Sequence, residues 1–205
     1  METIGIISDT HGRLSNQVVE VLRGNYTSEQ VILRKVFNGD SGGGIDIAPC
    51  GLVIHAGDVG SYYDAAQWIL DELEEIAPLY VVAGNNDLPD DYRINGKKLP
   101  EYVLFRVCGL RFAMMHEPYR LHAAVEGGGL MRPAFIKPMP DVLIHGHTHV
   151  LKVDTAASGA IQICPGSVSL PRGGNPPTVA IVKVTDSGTV ASVDVVGLDP
   201  LPRRW

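Results

Sequence analysis

Three imidazoles recur close together at His145, His147 and His149, directly after the apolar run 141–144. In extended backbone, residues two apart face the same side, so His147 and His149 are spaced to present nitrogens toward one point. A single His beside a strand is ordinarily a core or surface residue, but here the setting is repeated along the chain. Asp9 and His11 follow the apolar run 3–7, with Gly12 behind them to allow a sharp turn. Asp58 follows 51–56 through Gly57, Asn85 and Asp87 follow 79–83 through Gly84, and His116 closes 110–115. Asp9, His11, Asp58, Asn85, His116, His147 and His149 supply oxygen and nitrogen donors in a number too large for one tetrahedral ion. They suit two five- or six-coordinate divalent ions sharing a carboxylate. Asp58, in a tight turn and with two oxygens to divide, is the candidate bridge.

These donors must be held by strand ends. Run 3–7 is β-branched and lacks polar alternation, as expected of a strand buried on both faces, and 51–56 and 79–83 read alike. A helix is predicted over 14–22, with apolar residues at 14, 18, 19, 21 and 22 and Gly24 as its stop. A second is predicted from Ser61, with Asp64 completing a capping box, to about residue 76. Strand-helix alternation predicts a parallel α/β sheet with a site at the carboxyl ends of its strands. After a polar connection over 88–100, segments 101–107 and 110–115 read as a hairpin turning at Cys108 and Gly109. Residues 119–126 read as a helix stopped by Gly127, Gly128 and Gly129, and Pro133, Pro138 and Pro140 lead into 141–144. Strands are expected at 150–154, 161–164, 178–184 and 190–196, the last two joined at Asp186, Ser187 and Gly188, so the second half is expected to be mainly antiparallel. Segment 25–49 is less regular: Ser28 is read as the cap of a short helix through 31–33, and 38–44 as a glycine-rich loop. No chemistry is assigned to it.

Composition bounds the rest. The 205 residues are 45% hydrophobic and 20% charged, an ordinary globular balance that predicts one domain over 1–205. The net charge of −6 and the lack of a Lys/Arg block do not indicate a nucleic-acid-binding surface. The sequence has no apolar run long enough to span a bilayer, and the first apolar segment is followed at once by Ser8 and Asp9, unlike a signal peptide. Cys50, Cys108 and Cys164 are odd in number and widely separated, which fits reduced thiols in a cytoplasmic protein. A homo-oligomer is left open.

The ordered set Asp-x-His (Asp9, His11), Gly-Asp (Gly57, Asp58), Gly-Asn-x-Asp (Gly84, Asn85, Asp87), a lone strand-end His116 and Gly-His-x-His (Gly146, His147, His149) resembles the calcineurin-like metallophosphoesterases. Within them the chain looks like the small phosphodiesterases of the YfcE type and their non-catalytic relative, the retromer subunit Vps29. Segment 164–172, with Pro165, Gly166 and Ser167, resembles a family stretch that usually opens with Asn where Cys164 stands. The resemblance covers nearly the whole chain except 25–49, which reads as an insertion.

The resemblance implies an αββα sandwich of mixed sheets with a metal site at strand carboxyl ends. It implies that Asp9, His11 and His149 hold one metal, that Asn85, His116 and His147 hold the other, and that Asp58 bridges. Manganese is the preferred ion, with Ni, Fe or Zn acceptable to the same donors. The implied activity is hydrolysis of small phosphodiesters by a hydroxide bridging two divalent metals, whose coordination lowers the pKa of water from about 16 toward about 7. Two such ions, two carboxylates and one hydroxide leave a single formal positive charge, which a diester monoanion cancels and a monoester dianion overshoots. Asn85 and Arg172 are candidate phosphate contacts, Arg172 being equally open to a structural ion pair. Where related phosphatases carry a His that protonates the leaving group, this chain has Asn86, which leaves Asp87 or a metal-bound water as the proton source. Glu117 stands where the family often has Gly. His145 and His55 are read as strand-end or orienting groups, and His122 as a helix-surface residue. The alternatives are a phosphomonoesterase acting on nucleotides or phosphoproteins, and a non-catalytic scaffold like Vps29.

Overall fold

A computed structural model describes residues 1–37, 44–61, 64–127 and 136–202. Residues 38–43 of the glycine-rich loop expected over 38–44, Gly128, Gly129, Pro133 and residues 203–205 lie outside the described residues.

Strands β1 (Glu2–Ile7), β3 (Leu52–His55) and β4 (Leu79–Val81) run parallel, as the alternating pattern predicts. They form one half of a six-stranded sheet. The other half is antiparallel and contains β10 (Thr178–Val184), β11 (Val190–Gly197) and the edge strand β2 (Val31–Val36), giving the order β2-β11-β10-β1-β3-β4. The second sheet orders β5 (Tyr102–Val107), β6 (Leu110–Met115), β7 (Val142–Ile144), β9 (Ile161–Cys164) and β8 (Lys152–Thr155). β6, β7 and β9 are mutually parallel, which departs from the antiparallel second half read from the sequence. The segment between β6 and β7 returns the chain through α3 (Pro118–Glu126), and such a crossover permits parallel pairing.

The strand period decides which residue faces which layer. In β1, Ile4 and Ile6 enter the core between the two sheets with Ile54, Phe112, Met114, Ile144, Ile163 and Val182. Ile7 enters the opposite core with Val18, Leu22, Ile69 and Leu73 of α1 (Asn16–Leu22) and α2 (Gln67–Glu74). A third cluster packs Leu121, Ala124 and Val125 of α3 on Ala113 and Leu143 of the second sheet. The layers are therefore α, β, β, α. Gly5 faces α1, and a methyl group there would meet Leu22 Cδ2 at 2.3 Å and Cys50 Sγ at 2.9 Å. Gly5→Ala is expected to cost about 1–3 kcal/mol by overpacking, read as a fall of several degrees in Tm with the site chemistry retained.

Two local expectations are corrected. Residues 31–33 form a strand rather than a helix: Thr27 N–H donates to Gln30 Oε1 at 2.9 Å, one 3-10 turn forms at Ser28–Gln30, and β2 then pairs with β11. A ready partner edge decides the matter for a short β-branched run that periodicity leaves ambiguous. Ser61 caps no helix. Its backbone and that of Asp64 pair with each other at 3.0 and 3.1 Å, and α2 begins only at Gln67.

Candidate metal centre

Each expected ligand sits just beyond a strand. Asp9 and His11 follow β1, Asp58 follows β3, Asn85 follows β4, His116 follows β6, and His147 and His149 follow β7. Asp9 (φ 54°), His11 (φ 46°), Asp58 (φ 56°), His147 (φ 69°) and His149 (φ 59°) all adopt the left-handed backbone conformation, where Asp and His are better tolerated than most residues. That conformation turns each chain sharply off its strand, so side chains from separate loops converge.

Asp9, His11, Asp58 and His149 bring one ligand atom each to within 4.8 Å of one another. His11 Nε2 is 3.2 Å from His149 Nε2 and 3.7 Å from Asp58 Oδ2, and His149 Nε2 is 3.2 Å from Asp9 Oδ1. His116 Nε2 stands 3.4 Å from Asp58 Oδ2 and 3.9 Å from Asp9 Oδ1. The His147 ring lies edge-on to His116 with centroids 5.3 Å apart, and its Nδ1 is 2.8 Å from Asn85 Oδ1. Asp58 thus lies between the group containing His11 and His149 and the group containing His116, His147 and Asn85.

The donor inventory tests whether a cation fits here. His116 Nδ1–H donates to Ala56 O at 2.7 Å and His149 Nδ1–H to Leu170 O at 2.7 Å, so each neutral ring turns a bare Nε2 lone pair inward. Those lone pairs face the carboxylates of Asp9 and Asp58. Asp9 Oδ1 and His116 Nε2 are buried with no hydrogen-bond partner. Acceptors converging on acceptors repel unless a positive charge lies between them. The titration tendencies express the same demand. The Asp9 carboxylate raises the His149 pKa. Burial acts most strongly on His116 and opposes a charge, yet Asp58 and Asp9 outweigh it and raise its pKa. Burial likewise opposes ionisation of Asp58, but His116 and two donors from Asn86 hold its carboxyl far below the usual range. His11, farther from compensation, is lowered by burial. The residues fit divalent cations.

The supporting contacts are extensive. Asn86 grips Asp58 twice, through its N–H to Oδ1 at 2.9 Å and its Nδ2 to Oδ2 at 2.7 Å. Gly84 permits this approach, because a methyl group there would lie 2.0 Å from Asp58 Oδ1. Gly57 N–H donates to His55 Nδ1 at 3.2 Å, so the His55 proton resides on Nε2 and points at Thr10 Oγ1, 2.9 Å away; Thr10 in turn donates to Val59 O at 2.7 Å. Burial pushes the His55 pKa down to about 4, consistent with this neutral strut between the first two loops. Ser167 and Ser169 hydroxyls both donate to Asp9 O at 2.8 and 3.0 Å, giving segment 164–172 a concrete task. His145 turns away from the cluster toward Gly146 O and Gln162, and His122 pairs on the surface of α3 with Glu126 at 3.6 Å. Arg172 donates its backbone N–H to His149 O at 2.9 Å and is exposed. Among the described residues its guanidinium makes no ion pair.

Asp87 is turned toward the backbone. It is buried, 6% exposed, and its oxygens accept from the backbone N–H groups of Val59 (3.1 Å), Gly60 (3.0 Å) and Gly84 (2.9 Å). A carboxylate so engaged ties the Asp58 loop to the Asn85 loop. Asn86 and Asp87 thus hold the two loops in place, contacts that the sequence, which offered Asp87 as a proton source and Asn86 as a missing one, did not disclose.

The calcineurin-like phosphoesterase superfamily domain model matches residues 44–187. A probable metallophosphoesterase of Methanothermobacter thermautotrophicus is 31% identical over 121 residues, 59% of this chain, and the match spans 62% of that relative's length. Among solved structures, YfcE, a phosphoesterase from E. coli, superposes with a TM-score of 0.55 at 20% identity over 93% of this chain and 97% of its own. A conserved uncharacterized protein of Streptococcus pneumoniae, described as a predicted phosphoesterase, gives 0.55 at 21% identity over 96% and 89%. A Vps29 variant from Entamoeba histolytica gives 0.56 at 17% identity over 94% and 98%. With more than half its length matched by the domain model, the chain belongs to the calcineurin-like phosphoesterase superfamily.

Proposed function

We propose that the protein is a cytoplasmic phosphodiesterase that holds two divalent ions, manganese by preference, and hydrolyses small phosphodiesters. The observation that carries this reading is the convergence of the partnerless Asp9 Oδ1 and His116 Nε2 on Asp58, between two groups of His and carboxylate or amide donors. Asp9, His11 and His149 would hold one ion, Asn85, His116 and His147 the other, and Asp58 both. When bound, such ions supply an activated water and Lewis acidity toward phosphoryl oxygens. The chain's own residues do the remainder. Asn86 fixes the Asp58 carboxylate, His55 and Thr10 fix the spacing of the first two loops, and Asn85 with the free Arg172 guanidinium receives the phosphate. Asn86 cannot act as an acid and the Asp87 oxygens are taken up by backbone N–H groups, so esters with good leaving groups, aryl esters among them, are favoured.

The test is hydrolysis of bis(4-nitrophenyl) phosphate by metal-stripped protein with Mn²⁺, Ni²⁺, Zn²⁺ or Mg²⁺ restored, beside 4-nitrophenyl phosphate as the monoester. Two bound equivalents per chain with diester turnover well above monoester turnover are expected. Two bound equivalents without turnover of either ester would place the chain with non-catalytic scaffolds instead.

A further inference from the structure

Beside the metal loops lies a cleft of about 260 Å³ lined by Gly12, Arg13, Leu14, Trp68, Leu201 and Pro202. Gly12 is the residue after His11, and its N–H donates to Val59 O at 2.8 Å, so the cleft shares its wall with the loop that carries Asp9 and His11. Trp68, in the first turn of α2, leaves 50% of its surface exposed there. The end of the described chain closes another side and is tied in place: Gln17 Nε2 donates to Asp199 Oδ2 at 2.8 Å, Asp199 N–H to Gln17 Oε1 at 2.9 Å, and Arg13 to Pro202 O at 2.5 Å. One carbonyl occupies little of a guanidinium with five donors, so Arg13 keeps a flat cationic face for a ligand.

Size and lining narrow what fits. Clefts that enclose a whole drug-sized molecule hold roughly 300–1,000 Å³, so this one takes one end of a ligand. An exposed indole, a guanidinium and apolar Leu and Pro side chains favour a flat, electron-rich ring that stacks on the indole and takes the cation over its face. Among the described residues no carboxylate lines the cleft to bind a cation. We propose that it is a subsite for a planar aromatic ester group, aryl or nucleobase, of a substrate whose phosphate lies at the metal centre. This rests on the phosphoesterase reading and supplies its substrate class.

Calorimetric binding of phenyl phosphate and methyl phosphate to the metal-loaded protein tests the subsite without requiring turnover. The unaltered protein is expected to prefer phenyl phosphate by roughly 10-fold, the scale of one base or ring stacked on an aromatic side chain. Trp68→Ala should abolish the preference while leaving methyl phosphate affinity unchanged, Trp68→Phe should keep part of it, and Arg13→Gln should reduce it. Equal preference in the unaltered protein and Trp68→Ala overturns the proposal, even where diester hydrolysis proceeds normally. A Trp68-dependent preference in a protein that hydrolyses no ester would sustain the subsite and overturn the hydrolase reading. Binding of neither phosphate would overturn the subsite, while turnover of bis(4-nitrophenyl) phosphate decides the hydrolase reading separately.

Discussion

Asp58→Asn is expected to lower metal-restored diester hydrolysis by at least about 10²–10³-fold and to reduce the bound metal from two equivalents per chain to one or fewer. The substitution keeps size and shape, so the contacts of position 58 with Asn86 can be largely retained and the fold survives. What disappears is the negative charge between His11 on one side and His116 on the other, at 3.7 and 3.4 Å. A neutral amide offers one oxygen where a carboxylate offers two, and the remaining carboxylate, Asp9, cannot serve both groups of ligands. Elemental analysis of the purified variant, beside kcat/KM for bis(4-nitrophenyl) phosphate, decides the point. Full metal content with full activity would mean that Asp58 is not shared between two ions.

The second large effect concerns stability. Asp87→Asn replaces an acceptor oxygen by an NH₂ group that must face backbone N–H donors, and the site is 6% exposed, so water cannot compensate. Charge-assisted hydrogen bonds of this kind contribute about 1.5–3 kcal/mol each before relaxation, and an unsatisfied buried donor costs about 1–3 kcal/mol. A net loss of about 2–4 kcal/mol follows, on the order of 10 °C in Tm. Thermal unfolding measures it. Kinetics provides the second readout: a positioning residue lowers kcat alike for esters of good and poor leaving groups, whereas a proton donor would fail selectively on the poor ones. An unchanged Tm with selective loss on poor leaving groups would restore Asp87 to the role of acid.

The parts legible in the sequence were those where local pattern and tertiary position coincide. Buried β-branched runs ended in Asp9, Asp58 and His147, and the structure places all three just beyond strands, with Asp9 and Asp58 joined by His11 and His149 around one point. The hairpin turn at Cys108 and Gly109 was legible because β5 and β6 are adjacent in sequence. The rest depended on partners remote in sequence. Val31–Val36 is a strand only because β11 offers its edge, and β6, β7 and β9 are parallel through pairings that no local period encodes. Asn86 and Asp87 looked like candidates for chemistry, or its absence, because a sequence names a polar side chain without showing which backbone donors enclose it. His55 was readable as a strand-end or orienting His before Gly57, but its partner was not, since Thr10 lies on another loop.

The left-handed turns have an evolutionary cost. A non-glycine residue pays on the order of 1 kcal/mol to hold that conformation, and five such residues together approach about 5 kcal/mol, the low end of the entire folding margin of a typical domain. Selection for durability alone would have placed glycine at Asp9, His11, Asp58, His147 and His149. Carboxylates and imidazoles there instead give the chain its converging donor set at the expense of ruggedness. Efforts to harden this protein against heat should therefore leave these turns alone and work on the far ends of the sheets.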